Sequence, residues 1–366
     1  MFDLIISVLV ICIFVFLLCV IVVVSGKLMG QSGEAVLSVN NTEQRTVKRG
    51  QRLIDVLADN KIFLPAACGG KGNCGRCKLI VSGGGPVTAL EKIALTENEI
   101  KQGFRLGCQV KVRNDIGVKV PEELLNVKGF RATLVKAVDS AYHIKTLFFK
   151  LNNGDKLCFK AGQYVQITYE QPRERYIRAY SISSSPSCLD TFSLDVQLVE
   201  NGTVSSYLHS IEVGSEIDFT GPYGDMWIDD FSEDSEVLLL AGGVGIAPMK
   251  SIVAKFVDAG YVGKLVLFHG ARSMKYLLEY DDLKKTAKTH KNFIYIPVLS
   301  EPALEDGWTE NTGMVHEALE NWLKCNNCSP NSQAYICGPT PMMNVVTNVL
   351  MQNNFTCDRI HTDPFT

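Results

Sequence analysis

Cys68, Cys74 and Cys77 stand within ten residues, in the order Cys68-Gly-Gly-Lys-Gly-Asn-Cys74-Gly-Arg-Cys77, and a fourth cysteine follows at Cys108. Thiolates are soft ligands, and several on one glycine-rich turn suit a compact metal centre. A [2Fe-2S] cluster fits best. Its sulfides need nearby backbone N–H groups, so the loop must curl through positive φ, which Gly69, Gly70, Gly72 and Gly75 accept without a Cβ clash. The spacing is Cys-x5-Cys-x2-Cys with thirty residues before Cys108, one residue longer in the first gap than the plant-type pattern. Cys74-x2-Cys77 taken alone would equally be half of a zinc site, with Cys68 and Cys108 as ordinary buried thiols. The thiols divide three and one, and nothing near Cys108 forms a second knuckle, which favours the cluster.

Further residues along the chain could hold a dinucleotide. In Arg178-Ala-Tyr180-Ser181 an arginine offers a fork for a diphosphate, an aromatic offers a stacking plane, and a serine offers a hydroxyl to a ring nitrogen. In isolation the same residues read as a surface arginine and a core-facing strand tyrosine. Gly242-Gly243-Val-Gly245-Ile-Ala-Pro248 follows an apolar run and precedes a helical pattern. A helix N-terminus there presents N–H groups and a positive dipole end to a pyrophosphate, with Pro248 in the first turn. The turn is not the G-x-G-x-x-G fingerprint. A later strand ends in Cys337-Gly338-Pro339, with Thr340 as cap, Pro341 at the first helical position, and Met342, Val345, Val346, Val349 and Leu350 as the buried helix face. Cys337 by itself reads as a buried strand thiol. Arg272-Ser273 reads either as a 2′-phosphate site or as an exposed turn. Cys325-Asn-Asn-Cys328 has dithiol spacing but reads as a polar loop.

The elements that must position these residues are legible in outline. Residues 50–61 place Leu53, Ile54 and Leu57 on one helical face and lead through a short strand at Leu64-Pro65 into the cysteine loop. Residues 130–230 turn to short alternating runs that suit an antiparallel β-barrel. The final third alternates strand and helix patterns, the mark of βαβ units and a parallel sheet. At the N-terminus, residues 4–24 form an uncharged run long enough to cross about 30 Å of hydrocarbon as a helix. Asp3 replaces the basic start of a signal peptide, and no Ala-x-Ala site follows, so the run reads as an anchor. Lys27 behind the span puts the bulk of the chain on the cytoplasmic side. Residues 25–33 read as a flexible linker.

Composition sets bounds. With 366 residues there is room for two or three domains, and 46% hydrophobic against 20% charged residues supports ordinary cores. A net charge of −3 without a basic tract argues against a nucleic-acid partner. The twelve cysteines are unevenly spread and four are assigned to the cluster, which fits a reducing compartment better than a disulfide scaffold.

Taken together the motifs carry two resemblances. Residues 34–122 resemble a β-grasp [2Fe-2S] ferredoxin domain, down to Arg105-Leu-Gly-Cys108-Gln around the last ligand. Arg178-Ala-Tyr180-Ser181, Gly202-Thr-Val204-Ser205, Gly242 to Pro248 and Cys337-Gly338-Pro339, in this order, resemble the ferredoxin-NADP reductase superfamily, with an FAD-binding barrel over 127–231 and an NAD(P)H-binding α/β domain over 234–366. That resemblance implies that Arg178, Gly202, Val204 and Ser205 hold the FAD diphosphate, that Tyr180 stacks on the flavin and Ser181 contacts N5, and that Gly242, Gly243, Gly245, Pro248, Arg272, Gly338 and Pro339 bind the nicotinamide dinucleotide. It also implies that Cys337 lies near the nicotinamide and that Phe365 covers the flavin.

Over essentially its whole length, with an anchor over 1–26, the chain resembles the family of F subunits of sodium-translocating NADH:quinone oxidoreductases. Membership implies a bacterial inner-membrane enzyme that works with other subunits, reduces quinone indirectly, and passes electrons from NADH through FAD to the cluster. NADH gives up two electrons at once and the cluster accepts one, so a flavin must stand between them. The same modules also serve membrane-bound reductases that feed an oxygenase or desaturase.

Overall fold

The uncharged N-terminal run forms α1 (Phe2–Gln31), within which Ile6–Val24 is a 19-residue apolar stretch with none of its side chains buried. At 1.5 Å per residue it rises about 28 Å, close to the thickness of a hydrocarbon core. The computed structural model describes residues 2–31, 33–172, 174–228, 236–326, 328–329 and 331–364. Its backbone stays helical through Gln31, which corrects the linker expected over 25–33: Lys27, Leu28, Met29 and Gln31 are good helix formers and carry the ladder across Gly26 and Gly30. The chain divides into two compact units, Met1–Asn126 and Val127–Thr366.

In the first unit the elements after α1 are β1 (Glu34–Val39), β2 (Glu43–Lys48), α2 (Leu53–Asp59), β3 (Lys78–Ser82), α3 (Ala89–Ala94), α4 (Glu97–Lys101), β4 (Phe104–Leu106), β5 (Ile116–Lys119) and α5 (Glu122–Leu125). The five strands form one sheet in the order β2-β1-β5-β3-β4, with β1 and β5 parallel and the other pairs antiparallel. Leu53, Ile54, Val56 and Leu57 bury the inner face of α2 against the sheet's Leu37, Leu79 and Ile116, the arrangement of a β-grasp. Leu64 and Pro65, expected as a short strand, lie in an irregular stretch between α2 and the cysteine loop.

A buried ion pair fixes the far side of this unit. Arg105 donates from Nε and Nη2 to Glu91 Oε1 and Oε2, each at 2.8 Å, and from Nη1 and Nη2 to the carbonyls of Gly85 and Pro86. Glu91 also accepts from the N–H of Thr88 and of Leu106, so the carboxylate joins the start of α3 to the strand that leads to Cys108. Neither side chain reaches water appreciably.

In the second unit a barrel comes first: β6 (Lys128–Ala141), β7 (Ile144–Leu151), β8 (Tyr164–Gln171), β9 (Glu174–Ser181), β10 (Thr191–Gln197), α6 (Thr203–Ser210) and β11 (Glu216–Tyr223). The six strands are antiparallel in the order β10-β7-β6-β11-β8-β9, and a bridge from Ile182 to Leu194 brings the end of β9 back onto β10. Phe149, Phe192 and Phe219 fill the interior. The α/β part follows: β12 (Glu236–Gly242), α7 (Ile246–Asp258), β13 (Lys264–Ala271), α8 (Tyr280–Thr289), β14 (Phe293–Leu299), β15 (Asn311–Thr312), α9 (Val315–Cys325), β16 (Gln333–Gly338), α10 (Thr340–Gln352) and β17 (Ile360–Pro364). All six strands are parallel, in the order β15-β14-β13-β12-β16-β17. Every residue of β12 is buried, as a central parallel strand covered on both faces requires.

On α10 the buried face is Met343, Val346, Val349 and Leu350. Val345, expected inside, is exposed, since Pro339 occupies the cap position expected of Thr340 and the helix presents Met343 inward.

Glu91→Gln would leave the Arg105 guanidinium buried without its counter-charge, so the ferredoxin-like unit is expected to lose about 3 to 5 kcal/mol, read as a lower denaturant midpoint. Burial pushes the Glu91 carboxyl up, but Arg105 and the backbone N–H donors outweigh it and hold the group below the ordinary carboxylate range. A folded pKa below the unfolded one means that the stabilisation is complete above the unfolded value and is lost as pH falls through the folded one. Acidification should therefore lower the midpoint of the parent protein more than that of the variant.

Candidate functional site

The cysteine loop lies between α2 and β3, and Gly69, Gly70, Gly72 and Gly75 all take positive φ, between 67° and 84°. The curl leaves Cys68, Cys77 and Cys108 buried and Cys74 partly open to solvent. Cys77 Sγ lies 3.3 Å from Cys108 Sγ, and Cys68 hydrogen bonds Cys74, so the thiols are paired two and two. Among the described residues no three His, Cys, Asp or Glu side chains converge on one point as a single zinc ion would need. Two pairs suit a group with two irons, each taking two thiolates. Hydrogen bonding to Cys74 holds Cys68 down and hydrogen bonding to Cys77 holds Cys108 down, while Cys74 and Cys77 are raised by the same bonds and by burial. Gln109, which sequence reading did not single out, spans the loop from Gly70 O to Cys108 Sγ.

In the barrel, β9 runs along a sheet edge with its side chains from Arg175 to Ser181 half-buried, so Arg178, Tyr180 and Ser181 lie on a strand with an open side. Arg178 Nη1 donates to Ile177 O at 2.8 Å. Burial raises the Tyr180 hydroxyl well above its ordinary pKa and keeps it neutral. Gly202 caps α6 without a side chain; a Cβ there would lie 2.5 Å from Ser205 Oγ and 2.9 Å from Val199 Cβ. Ser205 Oγ donates to Gly202 O and accepts from Val199 N–H, which tightens this turn, and the Val204 side chain sits in the barrel core, leaving its N–H at the helix start. The Tyr176 hydroxyl bonds Glu174 and Thr203, tying the Arg178 strand to the Gly202 turn. A helix start without a side chain at its cap, beside a strand carrying an arginine and a half-buried tyrosine, suits the diphosphate and ring of FAD.

The glycine-rich turns expected to bind a nucleotide lie where strand order reverses. β12 has β13 on one side and β16 on the other, and Ala241 pairs with Cys337, so the turns after β12 and β16 lie side by side at the carboxyl ends of the strands. Their backbones touch. A Cβ on Gly245 would lie 2.2 Å from Cys337 O, and one on Gly338 3.1 Å from Gly242 N. One on Gly242 would meet Pro339 Cδ at 3.1 Å. Gly243 takes φ +56°, and Pro248 is buried in the first turn of α7. The Gly243–Gly245 turn also touches β10 of the barrel.

Residues 37–113 match the family of the 2Fe-2S iron-sulfur cluster binding domain, residues 131–227 the oxidoreductase FAD-binding domain, and residues 239–348 the oxidoreductase NAD-binding domain. The F subunit of the Na(+)-translocating NADH-quinone reductase of Actinobacillus pleuropneumoniae is 32% identical over 394 aligned residues, which cover 96% of each chain. The protein belongs to that family of F subunits. The corresponding protein of Neisseria meningitidis is 29% identical with 99% of each chain covered. In fold, the family member is similar to the Amycolatopsis cytochrome P450 reductase GcoB (TM-score 0.71, 24% identity, 91% of this chain and 99% of that one) and to the ferredoxin reductase in carbazole 1,9a-dioxygenase (TM-score 0.68, 20% identity, 91% and 99%). Along this chain an iron-sulfur domain, an FAD domain and an NAD domain follow one another.

Two more of the expected residues have a definite place. Cys337 is fully buried, its Sγ donates to Asp363 O at 3.2 Å, and burial pushes the thiol far up, the setting of a buried strand cysteine. Arg272 is exposed just beyond β13, with Glu301 at 4.0 Å. Phe365 lies outside the described residues.

Because Gly245 meets backbone, Gly245→Ala is expected to weaken NADH binding by at least about tenfold while FAD content is kept. Isothermal titration and flavin absorbance would check this; unchanged NADH affinity in the folded variant would place the nucleotide elsewhere.

Proposed function

We propose that this chain is the NADH-oxidising subunit of a sodium-translocating NADH:quinone reductase complex, anchored in the bacterial inner membrane by one span with its catalytic domains in the cytoplasm. The observation that carries the reading is the joining, in one chain of this family, of a two-and-two thiol loop, a half-open flavin strand and a glycine-lined switch point. When bound, NADH would supply hydride, and FAD with the [2Fe-2S] cluster would supply the change from two-electron to one-electron chemistry.

The protein's own part is positioning and exclusion of water. The N–H groups at the start of α7 and the glycine-on-glycine turns hold the dinucleotide, the strand from Arg178 to Ser181 and the Gly202 turn hold FAD, and Cys68, Cys74, Cys77 and Cys108 hold the cluster. No acid or base is required for hydride transfer, and Tyr180 stays neutral. Arg272 is countered by Glu301, which suits NADH over NADPH. Cys337 and Phe365 would complete the nicotinamide end. Partners are the other subunits of the complex, and quinone is reached through them. Domain limits of 1–26, 34–122, 127–231 and 234–366 accompany this reading.

Feeding an oxygenase or desaturase is not favoured, because the likeness to such reductases is one of fold, at 24% identity or less. Anaerobic NADH titration of the detergent-solubilised protein, followed by optical and EPR spectra, tests flavin, cluster and donor preference together, and sodium-stimulated quinone reduction by membranes carrying this chain tests the complex. Cys74→Ala should remove the cluster signal and acceptor reduction while NADH still bleaches the flavin. Loss of bleaching in that variant, with FAD bound, would count against the scheme.

A further inference from the structure

A chain of charged and polar groups runs between the barrel and the nucleotide-binding part of the second unit. Lys250, on α7 and five residues past Gly245, is buried, and its Nζ lies 2.8 Å from Asp195 Oδ2 and 3.1 Å from Oδ1. Asp195 belongs to β10 of the barrel and is fully buried. The same Nζ lies 2.5 Å from Glu279 Oε1, on a residue held at φ +53° where α8 begins. Behind Asp195 the network continues: Thr146 Oγ1 donates to Oδ1 at 2.7 Å, and Ser140 Oγ lies 2.7 Å from Thr146 Oγ1.

Two more contacts hold α7 farther along. Lys255 Nζ donates to Ile228 O at 2.6 Å, and the hydroxyls of Ser185 and Ser187, in the loop that follows β9, donate to Asp258 at 2.5 and 2.8 Å. Contacts at 250, 255 and 258 constrain the tilt of the helix as well as its distance.

The placement gives the ion pair its meaning. Asp195 follows Leu194, which bridges Ile182, and Ile182 follows Ser181. Lys250 rides on the helix whose first turn closes the switch point. The pair therefore gives a short, rigid path between the flavin strand and the nucleotide turn. Stability alone does not explain it, since desolvating two charges costs several kcal/mol and a well-packed apolar pair is often as stable or more so. Modules joined by one chain move relative to each other by default, whereas hydride transfer needs reacting atoms held at roughly 3 to 3.5 Å.

We infer that Asp195 and Lys250 are positioning residues, whose buried ion pair seats α7 on the barrel and so sets the approach of nicotinamide to flavin. The inference rests on the proposed function.

The test uses the full FAD-loaded chain and the variants Asp195→Asn, Lys250→Met and Lys250→Arg. Stopped-flow bleaching of FAD at saturating NADH is expected to slow by roughly tenfold to hundredfold in the first two, with NADH affinity and FAD content near the parent's, and to be largely kept in Lys250→Arg. Hydrogen exchange of the α7 amides in the FAD-loaded protein without NADH should quicken in the first two variants and not in the third. Parent-like limiting rates and exchange in Asp195→Asn and Lys250→Met would overturn the inference. So would loss of FAD from both variants, which would make the pair a support of the barrel. If NADH failed to bleach FAD in the parent protein, the functional reading itself would fall, and the exchange comparison would still decide whether the pair seats α7.

Discussion

Two loops in the second unit pass so close that neither tolerates a side chain at the point of contact. The carbonyl of Cys337 occupies the space a Cβ on Gly245 would need, and Gly338 lies against the backbone of Gly242. This approach is what a switch point between β12 and β16 demands, because both turns leave neighbouring parallel strands at the same end. From it follow the burial of Cys337 and the placing of the Gly243–Gly245 turn beside the barrel strand β10. Close backbone packing has no soft degree of freedom, so the site is set by the fold and not by the rotamers of its lining side chains.

The ferredoxin-like unit solves a different problem. Four thiols must be brought together in a protein interior, where unpaired thiolate charge is costly. Pairing the sulfurs two and two, Cys68 with Cys74 and Cys77 with Cys108, gives each one a hydrogen-bond partner, and the glycine-lined curl supplies backbone N–H groups around them. The Arg105–Glu91 pair then ties the last ligand's strand to α3, so the loop is held at both ends.

The sequence was most legible where short-range chemistry decides the outcome. The cysteine spacing, the glycine-rich turn after β12, the apolar face of α2 and the alternation of the barrel strands are local patterns, and each element formed where its pattern lay. The misses are long-range or positional. The helix runs on past the membrane-length stretch because propensity outweighed two glycines. Val345 faces solvent because the register of α10 is set by its cap and by contacts with the sheet, neither visible in periodicity alone. Asp195, Lys250 and Glu279 are ordinary charged residues in the sequence, 55 and 29 positions apart, and only a buried charge with no local partner would have hinted at a distant one. Arg105 lay inside a recognised motif, yet its partner Glu91 carried no signal beyond a capping box.

The thiols of the cluster loop are unequal in one respect. Cys68, Cys77 and Cys108 are enclosed, whereas Cys74 stands partly in solvent. Dissolved oxygen and peroxide reach a sulfur ligand most readily where water does, so among the four thiols of this loop oxidation should begin at Cys74. The durability of this loop in air thereby follows the exposure of a single side chain, and a shield over that one position would lengthen it without touching the other three sulfurs.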